Sequence, residues 1–230
     1  MECIYSPEIS HNNNVVEISG SSAKHLKALH IREDDNILLT NGCGLLAEGR
    51  VVRILQDKYL LNIVDLKAIN NEHPFRLGLA IGILDNRERL EFCFEKAIEL
   101  GISDFFPLIT DYSQKKKINS ERFSAKAIST IEQCKRGRLP TIHNPLNINE
   151  LLKEADSFAN LILLDIAGNR ALKLENNKSS LVIIGPEGGF SDKELQTFKQ
   201  NCRIHFLNLG DRRLRAETAA IVSLGLIVFI

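Results

Sequence analysis

Two glycine-containing loops near the C-terminal end constrain the fold of this chain more than any other feature, because each joins an apolar run to a predicted helix. In the first loop, the run LVII at 181–184 leads into a glycine-rich turn at 185–189, followed by Ser191 and Glu194. A short continuous apolar run is typical of a strand buried in a parallel sheet. Ser191 and Glu194 have the spacing of a capping box, which predicts that a helix begins there. The pattern therefore predicts a strand, a tight turn lined by backbone groups, and a helix.

The residues of the first loop limit the ligands that it could bind. It has neither the Gly-Lys-Ser/Thr ending nor the GxGxxG spacing of phosphate-binding loops. Glu187 would repel a phosphate, but a carboxylate is compatible with a cationic or zwitterionic ligand that needs backbone donors and acceptors. A strand-to-helix turn with a purely structural role has the same pattern, so both interpretations stay open from this loop alone.

The second loop carries a dense group of charges directly before the apolar run at 219–230. These charged residues are Asp211, Arg212, Arg213, Arg215 and Glu217. The run that follows them is apolar on nearly every face, which predicts a buried helix. Charges held at the start of such a helix indicate a binding function. A solvated turn, in which arginine side chains lie over apolar surface, is the alternative.

The first part of the chain, residues 1–70, predicts a small β-barrel. Short β-like runs alternate with turn residues, and Asn41-Gly42 is typical of a tight hairpin turn between two of them. Small barrels of this kind are common RNA-binding modules. A polar break at 70–74 marks the predicted domain boundary.

From 71 to 230 the pattern changes to alternating strands and helices, which predicts an α/β domain with a mostly parallel sheet. The helix predicted at 89–100 has its apolar residues on one stripe, so we interpret it as a packing element rather than part of a site. The other elements predicted here are strands at 75–83, 104–109, 161–164 and 181–184 and a helix at 121–135.

Composition bounds the possible functions. The 230 residues carry 29 Lys plus Arg against 29 Asp plus Glu, so any nucleic-acid site must be a local basic patch. The 5 cysteines are scattered without a CxxC pair, and no HExxH occurs, so we expect reduced cysteines and no metal site. The chain shows neither a signal peptide nor an apolar stretch of membrane-spanning length, and we expect a cytoplasmic protein.

The two late motifs, IGPEGGFSDKE and LGDRRLRAETA, together resemble the paired C-terminal motifs of the SPOUT-superfamily 16S ribosomal RNA (uracil-N3)-methyltransferases. Supporting similarity lies in EKAIELGISDFFPL, EQCKRGRLP and the Lys24-His25-Leu26 region, so the resemblance covers most of the chain. The chain departs from the family pattern at four positions. They are Arg213, where the family usually has an aliphatic residue, Tyr112 and His30, where arginine is common, and Phe123, where tryptophan is common.

The resemblance implies an N-terminal PUA-like β-barrel at 1–70 and a trefoil-knotted methyltransferase domain at 71–230. It also implies a homodimer, the small ribosomal subunit with its 16S rRNA as partner, and S-adenosylmethionine as cofactor. The cofactor residues carried over from the family motifs are Leu164, Ile184, Gly185, Glu187, Gly188, Leu209, Gly210, Leu214, Arg215 and Ala216.

Methyl transfer to uracil N3 requires that the enzyme favour the deprotonated form, because this nitrogen is a poor nucleophile while it is protonated. A cation beside a flanking carbonyl oxygen would favour the uracil anion, and Arg215 is the candidate catalytic residue for that role. The RNA-binding candidates are His25, Arg32, Lys115, Arg136 and Arg138. For Lys115-Lys116-Lys117, a solvated charged loop is the alternative interpretation.

Two other functions remain compatible with the sequence. One is a non-catalytic RNA-binding or ribosome-assembly protein that keeps the fold but does not bind the cofactor. The other is a related knotted methyltransferase that acts on tRNA, which would bind the cofactor but a different RNA.

Overall fold

The computed structural model describes residues 1–68, 71–171, 175 and 177–229. It divides into two compact units, one formed by Met1–Glu72 with Ile128–Leu139 and the other by His73–Ala127 with Pro140–Ile230. Part of the predicted polar break, Asn70, lies outside the described residues. The inclusion of 128–139 in the first unit differs from the sequence-based division, which assigned this segment to the C-terminal domain.

The first unit is built on a five-stranded mixed sheet with the strand order β1-β3-β4-β5-β2. Its elements are β1 (Cys3–Tyr5), β2 (Val15–Ile18), α1 (Gly20–Ala28), β3 (Asn36–Thr40), β4 (Leu45–Leu55) and β5 (Lys58–Ala68). β1 runs parallel to β3, and the other pairs are antiparallel. The predicted turn at Asn41-Gly42 joins β3 to β4. Gly42 has a φ of +70°, and Asn41 Oδ1 accepts hydrogen bonds from the amides of Cys43 (2.8 Å) and Leu45 (3.0 Å).

The second unit is built on a six-stranded sheet, parallel throughout, with the order β11-β9-β10-β6-β7-β8. The first half of the unit contains β6 (Leu77–Gly82), α2 (Arg87–Glu99), β7 (Asp104–Leu108), the start of α3 (Ser120–Cys134), whose residues from Ile128 onward belong to the first unit, and β8 (Thr141–Ile142). The second half contains α4 (Ile148–Ala155), β9 (Asn160–Asn169), β10 (Ser180–Ile184), α5 (Asp192–Lys199), β11 (Ile204–Leu207) and α6 (Ala216–Phe229). Every residue of β6, β7 and β10 is buried, which explains why these strands are apolar apart from the first residues of β7 and β10, Asp104 and Ser180. The predicted α/β architecture with a parallel sheet is confirmed.

Specific hydrogen bonds hold 128–139 in the first unit. Glu132 Oε1, from the second half of α3, accepts from the amide of Tyr5 at 2.8 Å. Thr40 Oγ1 donates to the carbonyl of Arg136 at 3.1 Å. Both contacts join residues far apart in sequence, so no local pattern could reveal them.

A buried ion cluster lies at the amino ends of the strands in the second unit. Arg76 donates two hydrogen bonds of 2.6 Å to the carboxylate of Asp104, and His143 Nε2 lies 3.0 Å from Asp104 Oδ1. Burial by itself would raise the pKa of Asp104, but the hydrogen bonds from Arg76, His143 and Ser103 outweigh it and hold the pKa below its usual range. The cluster is therefore a structural support for the edge of the sheet opposite the glycine loops.

Within this single chain, the last helix, α6, is buried on one face only. α6 packs against α2 and β10. Its opposite face leaves Val222 41%, Leu226 37% and Phe229 80% exposed, and Ile230 lies outside the described residues. Within the described part of the chain, no helix combines the length and the apolar character that crossing a membrane requires.

Candidate active site

Both glycine loops line one cavity of about 850 Å³ in the second unit. The strands β9, β10 and β11 are neighbours in a parallel sheet, so their carboxyl ends lie at the same edge. β10 ends at Ile184 and β11 at Leu207, and each strand leads directly into one of the loops. The crevice outside the carboxyl ends of parallel strands is the usual ligand site of α/β sheets.

The structure brings together all the residues that the resemblance assigns to cofactor binding. Each of them lines the cavity, as do the neighbouring Asp165 and Phe190. The shared set is Leu164, Ile184, Gly185, Glu187, Gly188, Leu209, Gly210, Leu214, Arg215 and Ala216. The candidate catalytic residue, Arg215, is thus in the same cavity as the candidate cofactor residues.

The first loop has a backbone shape that requires glycine. A Cβ atom on Gly185 would lie 2.9 Å from backbone atoms of Gly189, closer than real Cβ atoms approach backbone. Gly189 itself has a φ of +74°, and its amide donates to the Pro186 carbonyl at 2.9 Å. The predicted capping box at the start of α5 is confirmed, with Ser191 and Glu194 each bonded to the other's amide. The loop is therefore a compact turn whose side facing the cavity is mostly backbone.

Arg89, in the first turn of α2, is the main cavity residue that the sequence did not identify. Its Nε and Nη2 donate to Glu217 at 2.8 and 2.6 Å, and its Nη1 donates to Glu187 at 3.2 Å. The interpretation of this helix as a packing element alone is therefore wrong for its first turn. The local pattern carries little signal, because Arg87, Glu88 and Arg89 are consecutive charges and only tertiary packing decides which faces the cavity.

This ion cluster connects the two loops through α2. The hydrogen bond from Arg89 is the main cause that lowers the pKa of Glu217, and the same bond raises the pKa of Arg89. Glu217 also lies in the first turn of α6, where the helix dipole favours a carboxylate. Arg89 therefore fixes the start of α6 against the first glycine loop.

Both the side-chain carboxylate and the backbone carbonyl of Glu187 accept hydrogen bonds from neighbouring residues. Beside its bond from Arg89, its Oε2 accepts from the Asp85 amide at 3.4 Å. Its backbone carbonyl accepts from Arg213 Nη2 at 3.1 Å. These contacts give Glu187 a loop-fixing role, and Arg213, which departs from the family pattern, takes part in it.

Two cations at the cavity remain available to a ligand. Arg212 and Arg215 are exposed and line the cavity, and neither forms an ion pair with any residue that the structure describes. Asp211, which follows β11 and precedes both arginines in the sequence, pairs with Arg170. The mouth of the cavity thus presents guanidinium groups that can approach an anion or a polarised carbonyl oxygen.

The structure separates the RNA-binding candidates into different classes. Arg136 is only 6% exposed, and its Nε and Nη2 donate to Glu72 at 3.3 and 2.6 Å, so its role is to hold the first unit together. A guanidinium contact with RNA would have to break this pair, and RNA binding by Arg136 stays a prediction. The exposed candidates are Arg32, Arg138, Lys115 and His25, of which His25 lies 3.2 Å from Glu2; for these four, RNA binding stays a prediction.

The chain is similar to known proteins over nearly its whole length. Residues 71–228 match the family described as the RNA methyltransferase domain. A ribosomal RNA small subunit methyltransferase E from Mesomycoplasma hyopneumoniae is 30% identical over 217 residues, covering 92% of this chain and 92% of that protein. The protein of the same name from Bacillus subtilis is 26% identical, covering 92% of this chain and 89% of that protein. A crystal structure of this methyltransferase from Neisseria gonorrhoeae, bound to S-adenosyl methionine, has a TM-score of 0.87 at 26% identity and covers 99% of this chain and 96% of that one.

Proposed function

Because the chain belongs to the RNA methyltransferase domain family, and within it to the ribosomal RNA small subunit methyltransferase E family, we propose that it methylates N3 of a uridine in 16S rRNA, with S-adenosylmethionine as the methyl donor. The observation that carries the proposal is the convergence of both glycine loops on one cavity. The proposed site of action is the small ribosomal subunit in the cytoplasm.

The residues around the cavity fit the proposed cofactor. Leu164, Ile184, Leu209 and Leu214 provide apolar walls for a flat adenine ring, and the glycine loops provide backbone amides and carbonyls. Nothing lies within 4 Å of a Cβ built on Gly210, so the second loop leaves open space there. The likeness to the Neisseria gonorrhoeae protein, which was crystallised with S-adenosyl methionine, supports the same assignment.

When bound, S-adenosylmethionine supplies a methyl group on a positively charged sulfur. The protein must then favour loss of the proton from uracil N3. Arg215 is exposed at the cavity, free of ion pairs with the described residues, and so able to donate to a uracil carbonyl oxygen and stabilise the uracil anion. Glu187 does not act as the base in this proposal, because Arg89 and the Asp85 amide already occupy its carboxylate.

The proposal includes a trefoil knot in the domain 71–230 and a PUA-like barrel in the domain 1–70. In support of the knot, β10 lies between β6 and β9, and the chain returns from β11 at the sheet edge to pack α6 against α2 and β10. The segment between β11 and α6 lines one cavity with residues of β9 and the end of β10, which is compatible with a knotted path. Experimental electron density traced through 164–216 would test it, and an unthreaded path would refute the knot.

The proposal also includes a homodimer. On α6, Val222, Leu226 and Phe229 recur at the spacing of one helix face and are exposed in the single chain. An exposed apolar helix face is typical of a surface that a second protein covers. A second copy of the chain is the proposed occupant.

The experiment that tests the function supplies methyl-labelled S-adenosylmethionine and small ribosomal subunits that lack their native methylations, and then identifies the labelled nucleoside. We expect label in 3-methyluridine. Label only when tRNA replaces the subunits would support the tRNA alternative. Cofactor binding without any labelled RNA would refute the proposed substrate, and absence of cofactor binding would favour the assembly-factor alternative. Arg87→Met, on the exposed side of α2, removes an arginine outside the cavity and serves as a control variant, which should methylate like the unaltered protein.

A further inference from the structure

An exposed tyrosine lies directly beside the first glycine loop of the cavity. Tyr112 is 54% exposed, and a Cβ atom built on Gly188 would lie 3.0 Å from Tyr112 Cβ. The Cβ, Cγ and Cδ2 atoms of the tyrosine lie 3.0, 3.2 and 3.3 Å from that position, so one edge of the ring lies against the loop while the residue stays more than half exposed. The Tyr112 hydroxyl makes no hydrogen bond with the residues that the structure describes, so the fold itself gives the ring no polar partner.

Hydrogen bonds on both sides of the tyrosine anchor the segment that carries Tyr112. The Asp111 amide donates to Glu194 Oε1 at 2.9 Å, and Ser191 Oγ donates to Asp111 Oδ2 at 2.6 Å. On the other side, Lys115 Nζ donates to the Asp85 carbonyl at 2.5 Å. A fixed backbone presents an aromatic ring at a low entropic cost, which is a property of binding surfaces.

The charges around the ring favour a nucleic acid. Lys115, Lys116 and Lys117 are exposed in the same segment, and the exposed Arg212 lines the cavity. Lysine and arginine side chains contact phosphates, and an aromatic face stacks on a base of any identity. The combination of one exposed ring with cations from two segments is the arrangement of a single-strand binding surface rather than of a packing residue.

We propose that Tyr112 stacks on a nucleobase that neighbours the methylated uridine, and so helps to hold the RNA strand open beside the cavity. This inference rests on the proposed function, since it assigns a subsite for the RNA substrate of the same cavity. RNA recognition commonly places unstacked bases against aromatic side chains.

The first test separates RNA binding from cofactor binding. Tyr112→Leu keeps an apolar contact with Gly188 but removes the aromatic face, and we expect about tenfold weaker binding of the rRNA substrate. Tyr112→Phe restores the ring and should recover the lost affinity. The affinity for S-adenosylmethionine should stay within about twofold in both variants, since a stacking residue does not hold the cofactor. Unchanged RNA affinity in Tyr112→Leu, an equal defect in Tyr112→Phe, or a parallel loss of cofactor affinity would each overturn the proposal.

The second test uses the absence of tryptophan from the chain, which makes Tyr112→Trp a single fluorescent reporter. Titration with a single-stranded rRNA fragment should quench the indole as a base stacks on it. Inorganic polyphosphate and an acidic peptide carry charge without bases and should not quench it. Equal quenching by all three ligands, or no quenching by RNA, would refute base stacking.

The two tests also distinguish failure of the inference from failure of the proposed function. RNA methylation with normal substrate affinity in Tyr112→Leu and no quenching in Tyr112→Trp would refute the stacking subsite alone. Quenching by RNA without any methylation of small-subunit RNA would support the subsite and refute the proposed reaction.

Discussion

Replacing Arg89 with methionine should loosen both sides of the cavity at once, because this one side chain bonds to the first glycine loop and to the start of α6. Arg89 is 25% exposed, and the carboxylates of Glu217 and Glu187 are 10% and 33% exposed. Methionine keeps much of the apolar stem of the side chain and removes the charged donors. The variant therefore tests the three charge-assisted hydrogen bonds rather than the packing of α2.

The expected cost follows from the burial of the partners. Removing one partner from a fully buried ion pair costs about 3–5 kcal/mol, and an exposed pair contributes at most about 1 kcal/mol. The Arg89 cluster lies between these limits, so we expect a loss of about 2 kcal/mol in the free energy of unfolding. For a chain of this size, that corresponds to a fall in Tm of about 4–8 °C.

Thermal unfolding and calorimetric titration with S-adenosylmethionine measure the two effects. Beside the lower Tm, we expect about tenfold weaker cofactor binding, because fewer molecules have the loop and α6 in the binding arrangement. Arg87→Met is the matched control. Arg87 is 60% exposed with one 3.5 Å ion pair, and its loss should cost less than about 0.5 kcal/mol. An equal Tm in the two variants would refute a stabilising role for the cluster. A lower Tm in Arg89→Met with unchanged cofactor affinity would show that Arg89 contributes to stability but not to cofactor binding.

Three further predictions follow from the structure. Hydrogen bonds from Arg76 and His143 hold the pKa of Asp104 in the folded protein below its usual range. The stability that this cluster contributes is therefore fully present above about pH 4 and is lost as the pH falls through the folded pKa. In urea unfolding, Asp104→Asn should be less stable than the unaltered protein at neutral pH, and its stability should decline less steeply as the pH is lowered. Gly185→Ala should weaken cofactor binding at least tenfold in calorimetric titration, because the new Cβ would displace loop backbone 2.9 Å away; wild-type affinity would place the loop outside the cofactor site. Leu226→Lys should shift the protein to monomers in sedimentation analysis, since it puts a charge on the exposed face of α6; monomers in both variant and unaltered protein would refute the proposed dimer.

Several local features could be predicted correctly from the sequence, because neighbouring residues decide them. The Asn41-Gly42 turn depends on the conformational freedom of glycine, and the capping box of Ser191 and Glu194 depends on groups three residues apart. The strand at 181–184 was recognisable because burial on both faces demands a continuous apolar run. The short strands β1 and β8 have weak patterns and were not predicted, whereas the missed helix α4 begins with a recognisable capping box of Asn147 and Glu150.

The sequence did not show features that depend on distant partners. Arg136 matches a family pattern near other basic residues, and the pair with Glu72 that buries it lies 64 residues away in the sequence. Arg89 belongs to an amphipathic helix, and it is part of the cavity because the tertiary structure places Glu187 and Glu217 beside it. The run at 219–230 is apolar on all sides, and hydrophobicity alone does not show which face the fold leaves open.

The sequence by itself determined the kinds of elements and the two loops, because turn chemistry, capping and hydrophobic periodicity act over a few residues. The tertiary structure decided that these loops share one cavity, since this depends on β9 lying between β10 and β11 in the sheet. It also decided that α2 supplies the arginine that joins them. Strand order and ion pairing across the chain depend on which distant surfaces pack together, and no local pattern of residues records that choice.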